Sequence, residues 1–292
     1  MKFLIYGLLL ILVSGDIRAN TGSTAELTLM SYNIRCGFCE PAESPNHWSK
    51  RKFLIAKLIQ SHAPDIIGLQ EAELFQVQDL AALLDGYKWV GVGRDDGKTR
   101  GESTAVLFRS ERFALQQEKT LWLSPTPELP SKGWGADFPR TLSILQLIDL
   151  KTNSPLHVLN THFDHHSELA RQESAHFLLE KISQIAPTEP LVLMGDFNFV
   201  APSTSYAIIT GVLRDAEKIS RSAPTGGQKT FNDFGKNTEA ANKIDFIFVS
   251  QLAEVLGHQI DTTTYNGRHP SDHYPILVKL SIHLPASRAS KS

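Results

Sequence analysis

Leu191-Val192-Leu193-Met194-Gly195-Asp196-Phe197-Asn198 joins an apolar strand to a polar turn within eight residues. The four apolar residues read as a strand covered on both faces. Gly195 lets the backbone turn, and Asp196 and Asn198, two positions apart, share a face in extended geometry. A carboxylate there can hold a metal or take a proton from water, and the nearby amide can orient that water or a substrate oxygen. Gly-Asp-x-Asn is also ordinary turn chemistry, so the reading depends on what else the chain supplies.

Working outward, the same pattern recurs. In Leu159-Asn160-Thr161-His162-Phe163-Asp164-His165, the alternation puts Asn160, His162 and Asp164 on one side and Phe163 on the other. His162 on its own would also suit a hydrogen-bonded core position. Ser271-Asp272-His273 precedes the last apolar strand, and Asp245 opens the apolar run Phe246-Ile247-Phe248. An Asp beside a His fixes the imidazole tautomer and supports its charged form. Asn33 follows Ser31-Tyr32, and Glu71 follows Ile66-Ile67-Gly68-Leu69-Gln70. Taken singly, Asp245 reads as a solvated strand end and Glu71 as a helix-start carboxylate. Together Asn33, Glu71, Asp196, Asn198 and Asp272 form an oxygen-rich set suited to a hard cation such as Mg²⁺ or Mn²⁺.

Strands are predicted at residues 27–34, 66–70, 104–108, 142–148, 156–163, 191–194, 244–249 and 276–282, and helices at 49–61, 74–84 and 167–185. Several strands follow one another without a helix, which argues against a purely parallel doubly wound sheet and for mixed sheets covered by helices. No linker divides residues 27–283. The 292 residues, 41% of them hydrophobic, are enough for one large core, and 29 basic against 31 acidic residues give no polyanion-coating balance. Lys2, the apolar run 3–13 and the small residues after it describe a secretory signal peptide over residues 1–19, and residues 286–292 form a polar tail. Export to the periplasm or medium would favour a local Cys36–Cys39 disulfide; free thiols or a redox or metal role are the other readings.

The ordered series Ser-Tyr-Asn-Ile-Arg, Leu-Gln-Glu, Asn-Thr-His-Phe-Asp, Gly-Asp-Phe-Asn, Ile-Asp-Phe-Ile and Ser-Asp-His resembles the endonuclease/exonuclease/phosphatase superfamily of DNase I-like enzymes. The resemblance implies an α+β fold over residues 25–285, a four-layer α/β/β/α sandwich with two mixed sheets face to face. It also implies a divalent-metal-dependent hydrolase of phosphate esters that uses Mg²⁺, or Mn²⁺ in its place. By motif, Glu71 would be the main metal ligand, assisted by Asn33 and Asp272. Asp196 would orient or deprotonate the attacking water, and Asn198 would position it. His273, held by Asp245, and His162 would stabilise phosphoryl charge; whether Asp196 or His273 is the base stays open. Asp164, Arg100 and Arg140 are candidate substrate contacts. The substrate could be a nucleic acid, a phospholipid head group or a phosphorylated small molecule, met by a monomer. Lys243-Ile244-Asp245-Phe246 departs from the Cys-Asp-Arg arrangement of inositol polyphosphate phosphatases, which lowers that class. Two other readings are a non-catalytic relative that binds a ligand, and a metallo-β-lactamase-like zinc hydrolase, whose signature Asn160-Thr161-His162-Phe163-Asp164-His165 nearly echoes.

Overall fold

The computed structural model describes residues 24–185, 189–236 and 243–283; the expected signal peptide and polar tail lie outside them. In chain order the first elements are β1 (Thr24–Asn33), α1 (Trp48–His62), β2 (Ile66–Gln70), β3 (Ala72–Glu73), α2 (Leu74–Leu83), β4 (Tyr87–Val90), β5 (Glu102–Ser103) and β6 (Val106–Arg109). There follow β7 (Phe113–Trp122), β8 (Thr141–Asp149), β9 (Ser154–His162), α3 (Glu168–Ser183), β10 (Leu191–Asp196) and α4 (Thr204–Thr210). The last are β11 (Arg214–Asp215), β12 (Thr225–Gly226), β13 (Asp245–Val249), β14 (Ala253–Ile260) and β15 (Ile276–His283).

Two large mixed sheets result, ordered β12-β14-β15-β1-β2-β6-β4 and β11-β13-β10-β9-β8-β7. Each contains a parallel pair bridged by a helix: β1 and β2 through α1, and β9 and β10 through α3. A parallel pair needs such a crossover, whereas the antiparallel neighbours can connect more directly. Ser167 caps α3 by accepting from the Ala170 N–H, and Glu168 and Lys181 sit at the ends that suit their charges.

Side-chain alternation sorts the apolar residues into three cores. Leu29, Ile66, Val158, Val192, Met194 and Ile247 belong to the core between the sheets. Met30, Ile67 and Leu69 pack with Ile55, Leu58 and Val77 of α1 and α2. Leu159, Leu193, Phe246 and Phe248 pack with Leu178 of α3 and Ile209 of α4. Three cores between two sheets and their outer helices make the four layers that the resemblance implies. The same parity carries the inner face of β10 from Val192 and Met194 to Asp196, and that of β9 from Val158 to Asn160 and His162. The site is therefore the polar end of the inter-sheet core.

Gly68 lets the sheets approach there. A Cβ at this position would lie 2.5 Å from Met194 Sδ and 2.9 Å from Asn160 Oδ1. Below the site, Asn160 donates to Leu69 O and Ala105 O at 2.8 and 3.0 Å, and its Oδ1 accepts from Gln70 Nε2 at 2.7 Å. Asn160 is thus a tie between sheets. Gly68→Val should cost about 1–3 kcal/mol through overpacking, and thermal denaturation of the two proteins measures it.

Candidate active site

The parallel strands β1, β2, β9 and β10 all end at the same edge of the sandwich, where open α/β structures place ligands. Asn33, Glu71, His162 and Asp196 lie at or just beyond these ends, and antiparallel β13 begins beside them with Asp245. Glu71 turns into the site with φ 58° and Asn198 with φ 50°, left-handed conformations that are uncommon for Glu and tolerated by Asn. An open cleft of about 680 Å³ is lined by Glu71, His162, Asp196, Asn198, Asp272 and His273, with Arg35, Arg94, Glu102 and Arg140 around them.

Asp196 is the hub. Its Oδ2 accepts from Asn33 Nδ2 at 2.9 Å and lies 3.6 Å from His162 Nε2 and 3.8 Å from His273 Nε2. Its Oδ1 accepts from the Asn198 N–H at 3.0 Å. Asn33 Nδ2 also donates to Glu71 Oε1 at 3.0 Å, so one amide spaces two carboxylates. Asn198 Nδ2 donates to Phe163 O and sits 3.1 Å from His162 Nε2, which makes that ring nitrogen an acceptor. His273 Nδ1 is 2.8 Å from Asp245 Oδ2, leaving Nε2 turned toward Asp196.

These contacts separate the proton affinities. Burial, and then the Asp245 charge, push the Asp196 carboxyl up to about 7. Burial alone would lower His273, but the Asp245 carboxylate and its hydrogen bond, with Asp196, lift it to about 10. Burial first, then Arg140 and Arg94, drive His162 well below its ordinary value. For Glu71 burial works upward, yet the Asn33 hydrogen bond, Arg35 and His273 hold it below the usual range. At neutral pH the site therefore pairs a neutral His162 with a charged His273, a separation of roles typical of acid–base sites.

Three residues expected to meet a ligand have protein partners in the folded chain. Asn33 is fully buried beside Glu71 and Asp196; its Nδ2 bridges the two carboxylates and its Oδ1 accepts from the Arg35 N–H at 3.0 Å. Asp164 is 1% exposed; β9 ends at His162, the chain turns, and Asp164 caps that turn through the His166 and Ser167 N–H groups while facing Arg140. Arg100 is solvent-directed and paired with Asp96 at 3.3 Å, outside the cleft lining. Arg140 does line the cleft, and so do Arg35, Arg94 and Glu102, to which the sequence assigned no role. Cys36 and Cys39 form a disulfide; Cys39 reaches the cleft and the Cys36 N–H donates to Glu71 Oε2 at 3.3 Å. Fully buried Arg51 donates to Ile34 O and Pro270 O at 2.8 and 3.0 Å, tying the β1 exit to the Ser271-Asp272-His273 loop.

The Endonuclease/Exonuclease/phosphatase family model matches residues 30–273, the span that contributes every one of these side chains. The chain belongs to this family. Among solved structures it resembles the mannosyl-6-phosphatase Bt3783 of Bacteroides thetaiotaomicron, with 37% identity, a TM-score of 0.83, and coverage of 87% of this chain and 99% of that one. An endonuclease/exonuclease/phosphatase family protein from the same organism shares 36% identity at a TM-score of 0.86, covering 90% and 97% of the two chains. TDP2 of D. rerio, solved with a single-strand DNA product, shares the fold at a TM-score of 0.68 and 16% identity, over 88% and 99% of the chains.

Members of the family hydrolyse phosphate esters and are generally divalent-metal dependent, and this donor set suits such an ion. Ligand atoms of Glu71, Asp196 and His273 lie within 4.8 Å of one another. Asp272 is also buried at the cleft, its carboxyl raised by burial and by the Glu71 charge. Crowded, buried carboxylates are held apart in proton affinity by mutual repulsion, which a hard cation would relieve.

Proposed function

We propose that this protein is a Mg²⁺- or Mn²⁺-dependent phosphoesterase that hydrolyses small phosphate esters by in-line attack of an activated water. The observation that carries the reading is the Asp196 carboxylate, 3.6 and 3.8 Å from two imidazole nitrogens and grouped with Glu71. Glu71, with Asp272, would hold the ion, which polarises a phosphoryl oxygen and offsets transition-state charge. Asp196 accepts a proton from the attacking water while the bond from phosphorus to the leaving alcohol breaks. Asn198, anchored on Phe163 O, positions that water. His273, kept cationic by Asp245, stabilises the charge that develops, so it is the electrostatic partner and Asp196 the base. Similarity to a mannosyl-6-phosphatase puts phosphorylated sugars first among substrates. The reading includes an exported monomer without residues 1–19, which mass spectrometry of the exported form and sedimentation check.

A panel of sugar phosphates, plasmid DNA, RNA and sphingomyelin tests it. Hydrolysis with Mg²⁺ or Mn²⁺, lost in EDTA and restored by returning metal, is the expected result. A folded, metal-loaded protein that hydrolyses no phosphate ester would overturn the proposal. Activity should also depend on pH in a defined way. The base must be deprotonated and His273 protonated, so kcat/KM should rise on the acid side, with an Asp196 limb that a bound cation would move below about 7, and fall toward about 10. Asp245→Asn removes the charge that lifts His273 and should move the alkaline limb to lower pH; an unmoved limb would assign it to another group.

A further inference from the structure

Besides Arg35, which faces Glu71 and Asp272, the cleft holds two guanidinium groups that the reaction scheme leaves unused. Arg94 and Arg140 are 9% and 5% exposed and both line the cleft with His162 and Asn198. Arg140 is fixed on two sides: Nε lies 3.5 Å from Asp164 Oδ2, and Nη2 donates to His165 Nδ1 at 3.0 Å. Its third nitrogen, Nη1, is buried without a hydrogen-bond partner. Arg94 is held by Glu102 through Nη1, while its Nε is buried and unpartnered, the nearest Asp95 oxygen being 4.0 Å away. Phe138 packs against both groups, its ring centroid 4.9 Å from the Arg94 Cζ and 5.9 Å from the Arg140 Cζ.

A buried donor without an acceptor is costly, and a guanidinium more so than a neutral group. Two such cations placed together repel; burial first, and then the Arg140 charge, lower the Arg94 proton affinity, which Glu102 works to raise. An anion with several acceptor oxygens in the cleft would offset the repulsion between the two cations that line it. Guanidinium groups match that chemistry because their donors form a rigid fork complementary to phosphate. A terminal phosphate fits better than a bridging one: near pH 7 it approaches two negative charges and presents three free oxygens, whereas a diester carries one charge and two free oxygens.

We propose that Arg94 and Arg140 form a clamp for the terminal phosphate that makes the enzyme select phosphomonoesters over phosphodiesters. The inference rests on the hydrolytic reading above and names the substrate class of the same site. Positions of both side chains are set by neighbours outside the reacting group, Glu102 for Arg94 and Asp164 for Arg140, so the clamp exists before substrate arrives. This gives Asp164 a positioning role in place of the direct substrate contact first expected of it.

The test compares p-nitrophenyl phosphate with bis(p-nitrophenyl) phosphate in the metal-loaded wild type, Arg94→Gln and Arg140→Gln, with melting curves for each. The wild type should prefer the monoester in kcat/KM by about 100-fold or more. Each variant should lose about 10- to 100-fold on the monoester, the range of a charge-assisted hydrogen bond, and at most about 5-fold on the diester. Inorganic phosphate, measured by calorimetry, should bind each variant at least about 10-fold more weakly. Two variants are used because Arg140 is also held by Asp164 and His165, whereas Arg94 lies on a separate loop. Equal losses on both esters, a wild-type preference for the diester, or unchanged phosphate binding would overturn the clamp. If folded wild type cleaves neither ester, the hydrolytic reading fails, and phosphate binding alone then decides whether the arginines hold a terminal phosphate.

Discussion

Asp196→Asn should lower kcat by about 10³-fold, within the range that general-base catalysis supplies, while leaving the fold intact. The substituted amide is nearly isosteric, and its one oxygen can still accept from either Asn33 Nδ2 or the Asn198 N–H, which the two carboxylate oxygens now accept at 2.9 and 3.0 Å. The same change should stabilise the metal-free protein. A carboxyl raised to about 7 in the folded state, against 3.8 as its ordinary value, contributes its stability fully below the unfolded value and loses it as pH rises through the folded one. Above pH 7 the ionised wild-type group therefore weighs against folding, and the variant is free of it. Steady-state assays at saturating metal and melting curves in EDTA at pH 8 measure the two effects. A variant that is inactive and more stable is the signature of a residue kept for chemistry. A variant less stable than wild type would mean that Asp196 is a structural carboxylate.

Glu71→Gln carries the second large effect. Removing the carboxylate best placed for the ion should weaken metal binding by at least about 10-fold and reduce activity at fixed Mg²⁺ by about 10²–10³-fold. Because a ligand that binds only the folded state raises stability with its concentration, the wild type should melt higher as Mg²⁺ is added. The variant should lose most of that response. Glu71 is held in a left-handed backbone conformation and low in proton affinity by Asn33, Arg35 and His273, contacts that keep it ionised and ready for a cation. A metal response unchanged by the substitution would show that the ion is held elsewhere.

Which of these features could be read from sequence follows from physical scale. The buried strands were legible because their apolar runs are uninterrupted: residues 66–70 match β2, and residues 191–194 lie within β10. β7 was missed because it is an edge strand whose middle, through Gln116, Gln117, Glu118 and Lys119, is exposed and carries no apolar alternation. β14 was missed as well; its pairing shifts register between Val255 and Gly257, which interrupts the two-residue period. The short helix α4 has too few turns to show a period.

The site divides along similar lines. Asp196, Asn198, Glu71 and His162 could be picked out because each ends or follows an apolar strand, and Asp272 and His273 because they adjoin the start of the last one. Alternation failed for Asp164 because it was extended past His162, where β9 stops. It also could not tell Asn160, buried between the sheets, from His162 at the cleft: the two share a face and differ only in depth. Arg94 follows β4 in the loop Val92-Gly93-Arg94-Asp95, where no periodicity or motif distinguishes a cleft arginine from the solvated Arg100 a few residues later. Asn33 was legible as a site residue, but its role as spacer of two carboxylates depends on hydrogen-bond directions that only the folded chain defines.

The central claim is that the Asp196-centred cleft delivers a water to phosphorus. Hydrolysis of a sugar phosphate in ¹⁸O-labelled water by the Mg²⁺-loaded enzyme tests it most directly, with mass spectrometry of both products. One solvent ¹⁸O in the released phosphate, none in the sugar, and label transfer about 10³-fold slower in the Asp196→Asn protein is the predicted result. Label in the sugar hydroxyl, or phosphate released by Asp196→Asn at the wild-type rate, would contradict it.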